Sequence, residues 1–350
     1  MRYILFVGFG NTLADLEIHA QINNPQKEGD LSYSFVMDTD EEAIKIVSKL
    51  GSAIKLAKEV GGVDSLVEDI SSRIYSKTFS ITNLNDFNLS AKLNDDVKRD
   101  VGQSRFILPK NNYGLSPLII LKEKVTEFLV DSSKSKLYQT IWVHNFEHWI
   151  KKDREMPFFN ARAGMLPPKI ARSMVNLIPG SGVGKTLVDP FCGSGRVLVE
   201  AAEMGYKVIG LDIVSDQVED TKANLRHLNL SGEVHLQDAT HLSEIVKDID
   251  AIVTEPFLGK PNLRPDKSEF AAVGLQKLYL GCLKDWYKSL KMGGFIVMVF
   301  PILTGVKKDF HTSKIIDSVK KLGYNSLAQT IYSRPDAGIK REIIILQKQN

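Results

Sequence analysis

The stretch LVDPFCGSGRVLVEAAEMGYKVIGLD, residues 187–212, decides the fold of this 350-residue chain. Its first apolar run is too short for a helix and suits a buried strand, and Gly193 and Gly195 follow at once. Apolar residues then recur at helical spacing until Gly205, and a second apolar run ends at Asp212. A strand, a glycine turn, a helix and a strand ending in an acid form the unit with which parallel α/β sheets hold a nucleoside.

The residues around the turn distinguish two classes of nucleoside cofactor. A dinucleotide fingerprint has a third glycine, whereas the residues after Gly195 are Arg, Val and Leu. Asp189 precedes the turn, where a carboxylate repels a pyrophosphate and attracts a cationic amino-acid head group. S-adenosylmethionine has that head group, a ribose and no phosphate, so we expect it as the cofactor. A dinucleotide or a purely structural turn is the alternative.

Several stretches of the sequence resemble one known family. They are DPFCGSG at 189–195, the GLD that ends at Asp212, GMLPPKIAR at 164–172 and the opening YILFVGFGNTLADLEIHA at 3–20. Together they resemble the THUMP-containing tRNA guanosine N2-methyltransferases, the family that modifies guanosine 10. The resemblance covers most of the chain and is concentrated in the glycine turn and the GMLPPK stretch.

The length of the chain suits two or three domains. Strand and helix patterns alternate over residues 1–62, which predicts a small α+β module of ferredoxin-like type. The resemblance implies a THUMP-like RNA-binding domain at 63–150. A basic linker at 151–172 and a methyltransferase domain at 173–350 complete the prediction. Strands separated by helices predict an α/β fold there, a doubly wound, mostly parallel seven-stranded Rossmann-like sheet with a closing antiparallel hairpin.

Composition excludes several classes of protein. The net charge is only +3, so any surface for nucleic acid must be local. Two cysteines give neither a disulfide framework nor a zinc set, and the seven histidines show no metal-binding spacing, so no metal is expected. No apolar run approaches 18 residues, and the first residues are neither a signal peptide nor a membrane span. These observations predict a cytoplasmic protein without a membrane partner.

The cofactor is expected at the carboxyl ends of the parallel strands. Two of the predicted contact residues lie in the GMLPPK stretch and are implied by the resemblance. The others are predicted from the strand ends and the glycine turn. Asp238 is also a candidate helix N-cap, and both roles are compatible. The predicted cofactor-binding residues are Leu166, Pro167, Asp189, Phe191, Gly193, Gly195, Asp212, Ile213, Asp238 and Ala239.

The sequence EPFLG, residues 255–259, follows the predicted fourth strand. Enzymes that methylate exocyclic amines of bases usually carry Asp or Asn, two prolines and an aromatic residue at this place. A side-chain oxygen and a backbone carbonyl accept the amine hydrogens, and a ring stacks on the flipped base. We therefore predict Glu255 as the acceptor, Pro256 as the source of the carbonyl and Phe257 as the stacking ring. Glu is one methylene longer than Asp, the second proline is missing and the aromatic residue is one position early, so a simple turn is the alternative.

Basic and aromatic residues interleave in the predicted linker, which favours contact with RNA phosphates over a solvated connector. The predicted RNA-binding residues are Arg105, Lys151, Lys152, Arg154, Arg162 and Lys169.

These patterns predict an S-adenosylmethionine-dependent enzyme that methylates the N2 amine of a guanosine in tRNA. The resemblance favours position 10 and leaves position 6 open. It leaves open whether a small activator subunit takes part, and we expect a monomer. The alternatives are N6-adenine methylation of DNA or RNA, and a catalytically silent tRNA-binding protein in which EPFLG has replaced a working motif.

Overall fold

The computed structural model describes residues 1–9, 12–158, 166–260, 263–333 and 339–349. The chain divides into two compact units: Met1–Gly10 with Ile22–Trp149, and Asn11–Gln21 with Ile150–Asn350. The first helix, α1 (Thr12–Gln21), therefore belongs to the second unit, although it lies near the start of the sequence. The prediction of one module over residues 1–62 did not anticipate this placement.

The first unit is built on one eight-stranded sheet. Its strands are β1 (Arg2–Val7), β2 (Gln26–Gly29), β3 (Ser32–Val36), β4 (Ala53–Gly61), β5 (Thr78–Asn83), β6 (Arg105–Phe106), β7 (Thr126–Asp131) and β8 (Lys136–Val143). Their order in the sheet is β2-β3-β1-β4-β8-β7-β5-β6. The helices of this part of the chain are α2 (Asp40–Val47), α3 (Leu66–Ser71), α4 (Phe87–Val101) and α5 (Pro117–Glu123).

That sheet crosses the boundary predicted at residue 62. β4 and β8 pair antiparallel, with Leu56 opposite Trp142. The ammonium of Lys55 on β4 lies 3.0 Å from the Glu127 carboxylate on β7, and both side chains are buried. The two predicted N-terminal modules therefore share one sheet. Periodicity indicates where strands lie along the chain but not which distant strands pair, so the sequence could not show this.

The second unit contains the other sheet. Its strands are β9 (Thr186–Asp189), β10 (Lys207–Asp212), β11 (Glu233–Leu236), β12 (Ile249–Thr254), β13 (Leu290–Thr304), β14 (Asp309–His311), β15 (Tyr324–Tyr332) and β16 (Lys340–Lys348). The order is β11-β10-β9-β12-β13-β16-β15, with β14 paired to β13. β9 to β13 run parallel, and β16 is antiparallel to both of its neighbours. The predicted mostly parallel sheet with a closing hairpin is confirmed, and residues 334–338, between β15 and β16, lie outside the described residues.

Along the chain, the described helices from residue 146 onward either precede β9 or lie between strands of this sheet. They are α6 (Phe146–Arg154), α7 (Pro168–Asn176), α8 (Arg196–Glu203), α9 (Ser215–His227), α10 (Ser268–Trp286) and α11 (Ile316–Lys320), with short 3₁₀ turns at Ala239–Glu244, Pro265–Lys267 and Thr312–Ile315. α6 ends and α7 begins inside the segment predicted as a linker, so both ends of that segment are helical. Within the described ranges, no helix is long and apolar enough to cross a bilayer.

Candidate active site

The glycine turn lies between β9 and α8, where the sequence predicts it. Cys192 donates its backbone N–H to the Leu211 carbonyl at 2.9 Å, which ties the turn to β10. Gly193 and Gly195 adopt φ angles of +52° and +84°, a region that side chains disfavour. A Cβ added at Gly195 would lie 2.9 Å from Cγ2 of Thr221, so glycine is required there for space as well as for conformation.

Asp212 fixes the second side of the turn. Its Oδ2 accepts the N–H of Gly193 at 2.9 Å, and its Oδ1 accepts the N–H of Val214 at 3.0 Å. An ionised carboxylate has about four acceptor directions, so these two bonds leave room for ribose hydroxyls. Ile213, the next residue, is 69% exposed. A large apolar side chain held in solvent beside this acid offers a surface on which a flat base can pack.

Asp189 is buried at the end of β9. Its Oδ1 accepts the hydroxyl of Thr254 at 2.7 Å and the N–H of Phe191 at 3.1 Å. Burial raises the pKa of this carboxyl to about 7, and the negative charges of Asp212 and Glu255 act in the same direction. The two bonds that it accepts oppose this rise only in part. The site therefore holds a carboxylate that a nearby cationic group would stabilise.

Asp238 and Ala239 lie at the end of β11. Asp238 is the N-cap of the 3₁₀ turn, because its Oδ1 accepts the N–H of Thr240 at 2.8 Å, and this bond holds its pKa below the ordinary value. The Ala239 carbonyl accepts the indole N–H of Trp286 at 2.8 Å. The same indole packs edge-on against Phe191, with 6.4 Å between ring centroids. Trp286 therefore links two of the predicted cofactor residues, Phe191 after β9 and Ala239 after β11.

The Glu255-Pro256-Phe257 segment follows β12, which pairs parallel with β9. Glu255 Oε1 lies 2.5 Å from Nε of Arg341, which comes from β16. Pro256 is buried, and Phe257 is 53% exposed. The Phe257 carbonyl accepts the hydroxyl of Tyr279 at 2.7 Å. The segment thus presents one carboxylate and one exposed ring beside the cofactor turn.

The two residues predicted from the GMLPPK stretch lie at the start of α7. Leu166 is buried, and Pro167 is the N-cap residue of the helix. Gly164 and Met165 lie outside the described residues. The backbone of Phe158, just before that stretch, exchanges two hydrogen bonds with the Asn224 side chain. Asn224 also donates to the Ser194 carbonyl at 2.8 Å, which ties this segment to the glycine turn.

Five residues at this site were missed by sequence reasoning: Thr221, Asn224, Thr254, Tyr279 and Arg341. Thr221 donates its hydroxyl to the Gly193 carbonyl at 2.6 Å. Of the five, Thr254 had the clearest signal, because it directly precedes the predicted segment at the end of a strand. The others act from elements that are 20 to 90 residues away in sequence, and their residue types are common on any helix or strand.

The predicted basic residues have different environments. Lys152 is not at the surface: its ammonium is buried and lies 2.9 Å from carboxylate oxygens of both Glu200 and Glu203. Its assignment to an RNA-binding strip is therefore wrong, because the charge is neutralised within the protein. Lys151, the preceding residue, is exposed.

The remaining basic residues stay predictions. Arg154 is exposed, and Arg105 is exposed and paired with Glu123. Lys169 is half-buried, and burial lowers its pKa to about 8. Arg162 lies outside the described residues.

Comparisons with known proteins agree with this geometry. Residues 157–325 match the family model described as UPF0020, RMKL-like, methyltransferase domain, and residues 68–223 match one described as N6_N4_Mtase, DNA methylase. Two curated relatives are named tRNA (guanine(10)-N2)-dimethyltransferase. The one from Methanothermobacter thermautotrophicus is 40% identical over 43% of this chain and 42% of its own length. The one from Pyrococcus abyssi is 33% identical over 56% of this chain and 53% of its own length.

The solved structure of TrmN from Thermus thermophilus superposes with a TM-score of 0.56 at 15% identity, over 99% of this chain and 100% of that one. This likeness shows the fold. The sequence matches span about half of the curated relatives' own length, and they confirm the predicted resemblance. The THUMP-like assignment of residues 63–150 stays a prediction. Residues 157–325 are therefore similar to the methyltransferase domain of the RMKL-like family, and the chain has the fold of the solved TrmN structure.

Proposed function

We propose that this protein transfers a methyl group from S-adenosylmethionine to the exocyclic N2 amine of a guanosine in tRNA. One observation carries the proposal: Glu255, Pro256 and Phe257 follow β12 directly, and Thr254 just before them bonds Asp189 at the glycine turn. An acceptor for an amine and an exposed ring thus lie beside a site suited to this cofactor.

The residues at the turn fit S-adenosylmethionine. Gly193 and Gly195 adopt the left-handed backbone angles of the turn, and a Cβ at Gly195 would crowd Thr221. The acids at the ends of β9 and β10 suit a cationic amino-acid head group and a ribose, and they disfavour a pyrophosphate. Ile213 and Phe191 offer apolar surface for the adenine. When bound, the cofactor supplies a methyl group on a positively charged sulfur.

The residues after β12 act on the base. The lone pair of an exocyclic amine is conjugated with its ring and is a poor nucleophile. Glu255 would accept one amine hydrogen and the Pro256 carbonyl the other, which turns the lone pair toward the methyl group. The exposed ring of Phe257 would stack on the guanine once it has left the helical stack. The Tyr279 hydroxyl holds the Phe257 backbone at 2.7 Å and so limits the movement of this segment.

The choice of substrate rests on the relatives, which are named for guanine 10 of tRNA. The first unit would bind the tRNA, as its resemblance to THUMP-containing enzymes implies, and the exposed Lys151 and Arg154 would contact phosphates. We further propose that the protein acts as a monomer, in the cytoplasm. A requirement for a small activator subunit would appear as low activity of the purified chain.

The test is transfer of labelled methyl from S-adenosylmethionine to unmodified tRNA transcripts, with nucleoside analysis of the product. We expect N2-methylguanosine or its dimethyl form from a transcript with guanosine at position 10, and none from a matched transcript with adenosine there. Glu255→Ala should abolish transfer while cofactor binding persists, and Asp212→Ala should weaken cofactor binding. Absence of transfer despite binding of both cofactor and tRNA would favour a catalytically silent tRNA-binding protein.

A second candidate is methylation of an exocyclic amine in DNA, because residues 68–223 match a DNA methylase model. That match ends before Glu255 and so does not include the residues that would receive the amine. The same assay with double-stranded and single-stranded DNA decides between the two: label in DNA as N6-methyladenine, with none in tRNA, would replace the tRNA proposal.

A further inference from the structure

The carboxylate of Glu255 is paired with an arginine that comes from a distant part of the chain. Nε of Arg341 lies 2.5 Å from Oε1 of Glu255. The two side chains are only 8% and 16% exposed, so solvent screens the pair weakly. Arg341 is near the start of β16, the antiparallel strand of the sheet.

The register of the sheet explains why both side chains must be long. β13 separates β12 from β16: Thr254 lies opposite Met298 on one side of β13, and Arg341 lies opposite Pro301 on its other side. Two strand spacings amount to roughly 9.6 Å. An arginine can reach across one intervening strand only if its partner also reaches toward it. Glutamate has one methylene more than aspartate, and that extra length closes the gap.

We propose that Arg341 is a positioning residue that sets the orientation of Glu255 for accepting the amine hydrogen. This inference rests on the proposed function. Glu255 and Arg341 then act as a pair. The pair takes the place of the shorter side chain, Asp or Asn, that amine methyltransferases usually carry after this strand. Arg341 acts through Glu255 and does not itself touch the base.

Three contacts together fix the segment. Arg341 holds the Glu255 carboxylate, the Thr254 hydroxyl bonds Asp189 at 2.7 Å on the preceding side, and the Tyr279 hydroxyl bonds the Phe257 carbonyl at 2.7 Å on the following side. A guanidinium N–H on one carboxylate oxygen forms a charge-assisted hydrogen bond, which restricts the orientation of the carboxylate. The orientation of the other lone pairs of the Glu255 carboxylate is then restricted as well.

The experiment compares Arg341→Met, Arg341→Lys and the control Lys340→Met, which changes the exposed neighbour in the same strand. The full-length protein is assayed on the tRNA transcript for kcat and for KM of tRNA, and calorimetry gives the affinity for S-adenosylmethionine. We expect Arg341→Met to lower kcat by about 100-fold, the cost of a misplaced group, with both binding constants within about twofold of wild type. Arg341→Lys, which restores a cation without the planar donor, should recover part of the loss. Lys340→Met should behave as wild type.

A second measurement does not depend on activity. Urea unfolding of Arg341→Met, Glu255→Gln and the double variant forms a double-mutant cycle, and we expect the two effects to be non-additive. Additive effects, or an unchanged kcat in Arg341→Met, overturn the inference. Arg341→Met could also lower kcat, cofactor affinity and the midpoint of unfolding in the same proportion. That result would mean that Arg341 only stabilises the fold, and it would overturn the inference as well. A wild-type protein without transfer refutes the proposed function alone, and the unfolding cycle then decides whether Arg341 holds Glu255.

Discussion

Thr254 and Asp189 are joined by a hydrogen bond of 2.7 Å between the threonine hydroxyl and the buried carboxylate. The two residues end the neighbouring parallel strands β12 and β9. One strand leads into the glycine turn and the other into Glu255. The bond therefore ties the strand end before the glycine turn to the strand end before Glu255.

The raised pKa of Asp189 predicts how stability depends on pH. The ordinary pKa of an aspartate is about 4, and burial raises that of Asp189 to about 7. As pH rises from 4 to 7 the unfolded chain loses this proton and the folded protein keeps it, so stability falls over that window and levels off above it. We expect Asp189→Asn, which cannot ionise, to remove up to about 1.4 kcal/mol per pH unit from this slope between pH 5 and 7. Urea unfolding at several pH values measures it, and equal slopes for the two proteins would contradict the prediction.

Two glycine substitutions separate the effect of backbone conformation on stability from the effect of steric crowding. Gly195→Ala places a methyl group 2.9 Å from Thr221 in a left-handed backbone, whereas Gly184→Ala meets nothing within 4 Å at a similar φ of +79°. Gly184→Ala should cost about 1 kcal/mol, and Gly195→Ala should cost about 1–3 kcal/mol more because of the added crowding. Thermal unfolding checks the stability, and calorimetry with S-adenosylmethionine should show weaker binding for Gly195→Ala only. Equal losses in both variants would mean that Thr221 yields to the methyl group.

Adjacent lysines in α6 should have different roles. Lys152→Met removes a buried ammonium and leaves the buried carboxylate of Glu200 with less positive charge, so we expect a loss of about 3 kcal/mol in unfolding free energy. Lys151→Met should leave stability unchanged. If Lys151 contacts a phosphate, its loss should weaken tRNA binding and lower the slope of log affinity against log salt by about 1. Denaturant unfolding of both variants, and tRNA titrations at several salt concentrations, test this difference. A stability loss in Lys151→Met together with weaker tRNA binding in Lys152→Met alone would refute it.

The helix α1 should stabilise the second unit through a buried acid. Glu17 accepts the hydroxyl of Ser173 at 2.9 Å and the amide of Asn176 at 2.6 Å, and all three side chains are buried. Glu17→Ala should cost about 2–4 kcal/mol, because two buried donors on α7 lose their acceptor. Glu219→Ala on α9 removes an exposed acid and serves as the control, with no measurable change expected. Chemical denaturation of both variants is the measurement, and similar midpoints would contradict the role of Glu17.

The parts of the site that local sequence determines were predictable. The strand, turn, helix and strand from residue 187 to 212 carry their signals within 26 residues, and the parallel direction of the strands follows from the helices between them. Asp189 and Asp212 could be placed at neighbouring strand ends for this reason.

Contacts between distant segments could not be predicted. Arg341 reads as one basic residue at the start of an apolar strand, and only the register across β13 brings it to Glu255. Lys151 and Lys152 are adjacent residues of the same type, so the sequence does not distinguish them. The orientation of α6 about its own axis decides which side chain is buried. The position of α1 depends on α7, about 150 residues later.

The assignment of α1 to the second unit has a consequence during translation. The ribosome makes residues 12–21 long before residues 168–176, and at about 5–20 residues per second the delay is roughly 8–30 s. During this interval Leu13, Ala14 and Ile18, which are fully buried in the finished protein, have no α7 to cover them. The nascent chain therefore carries these apolar residues before their partner helix has been made, and we expect chaperones to bind this segment until the second unit is complete.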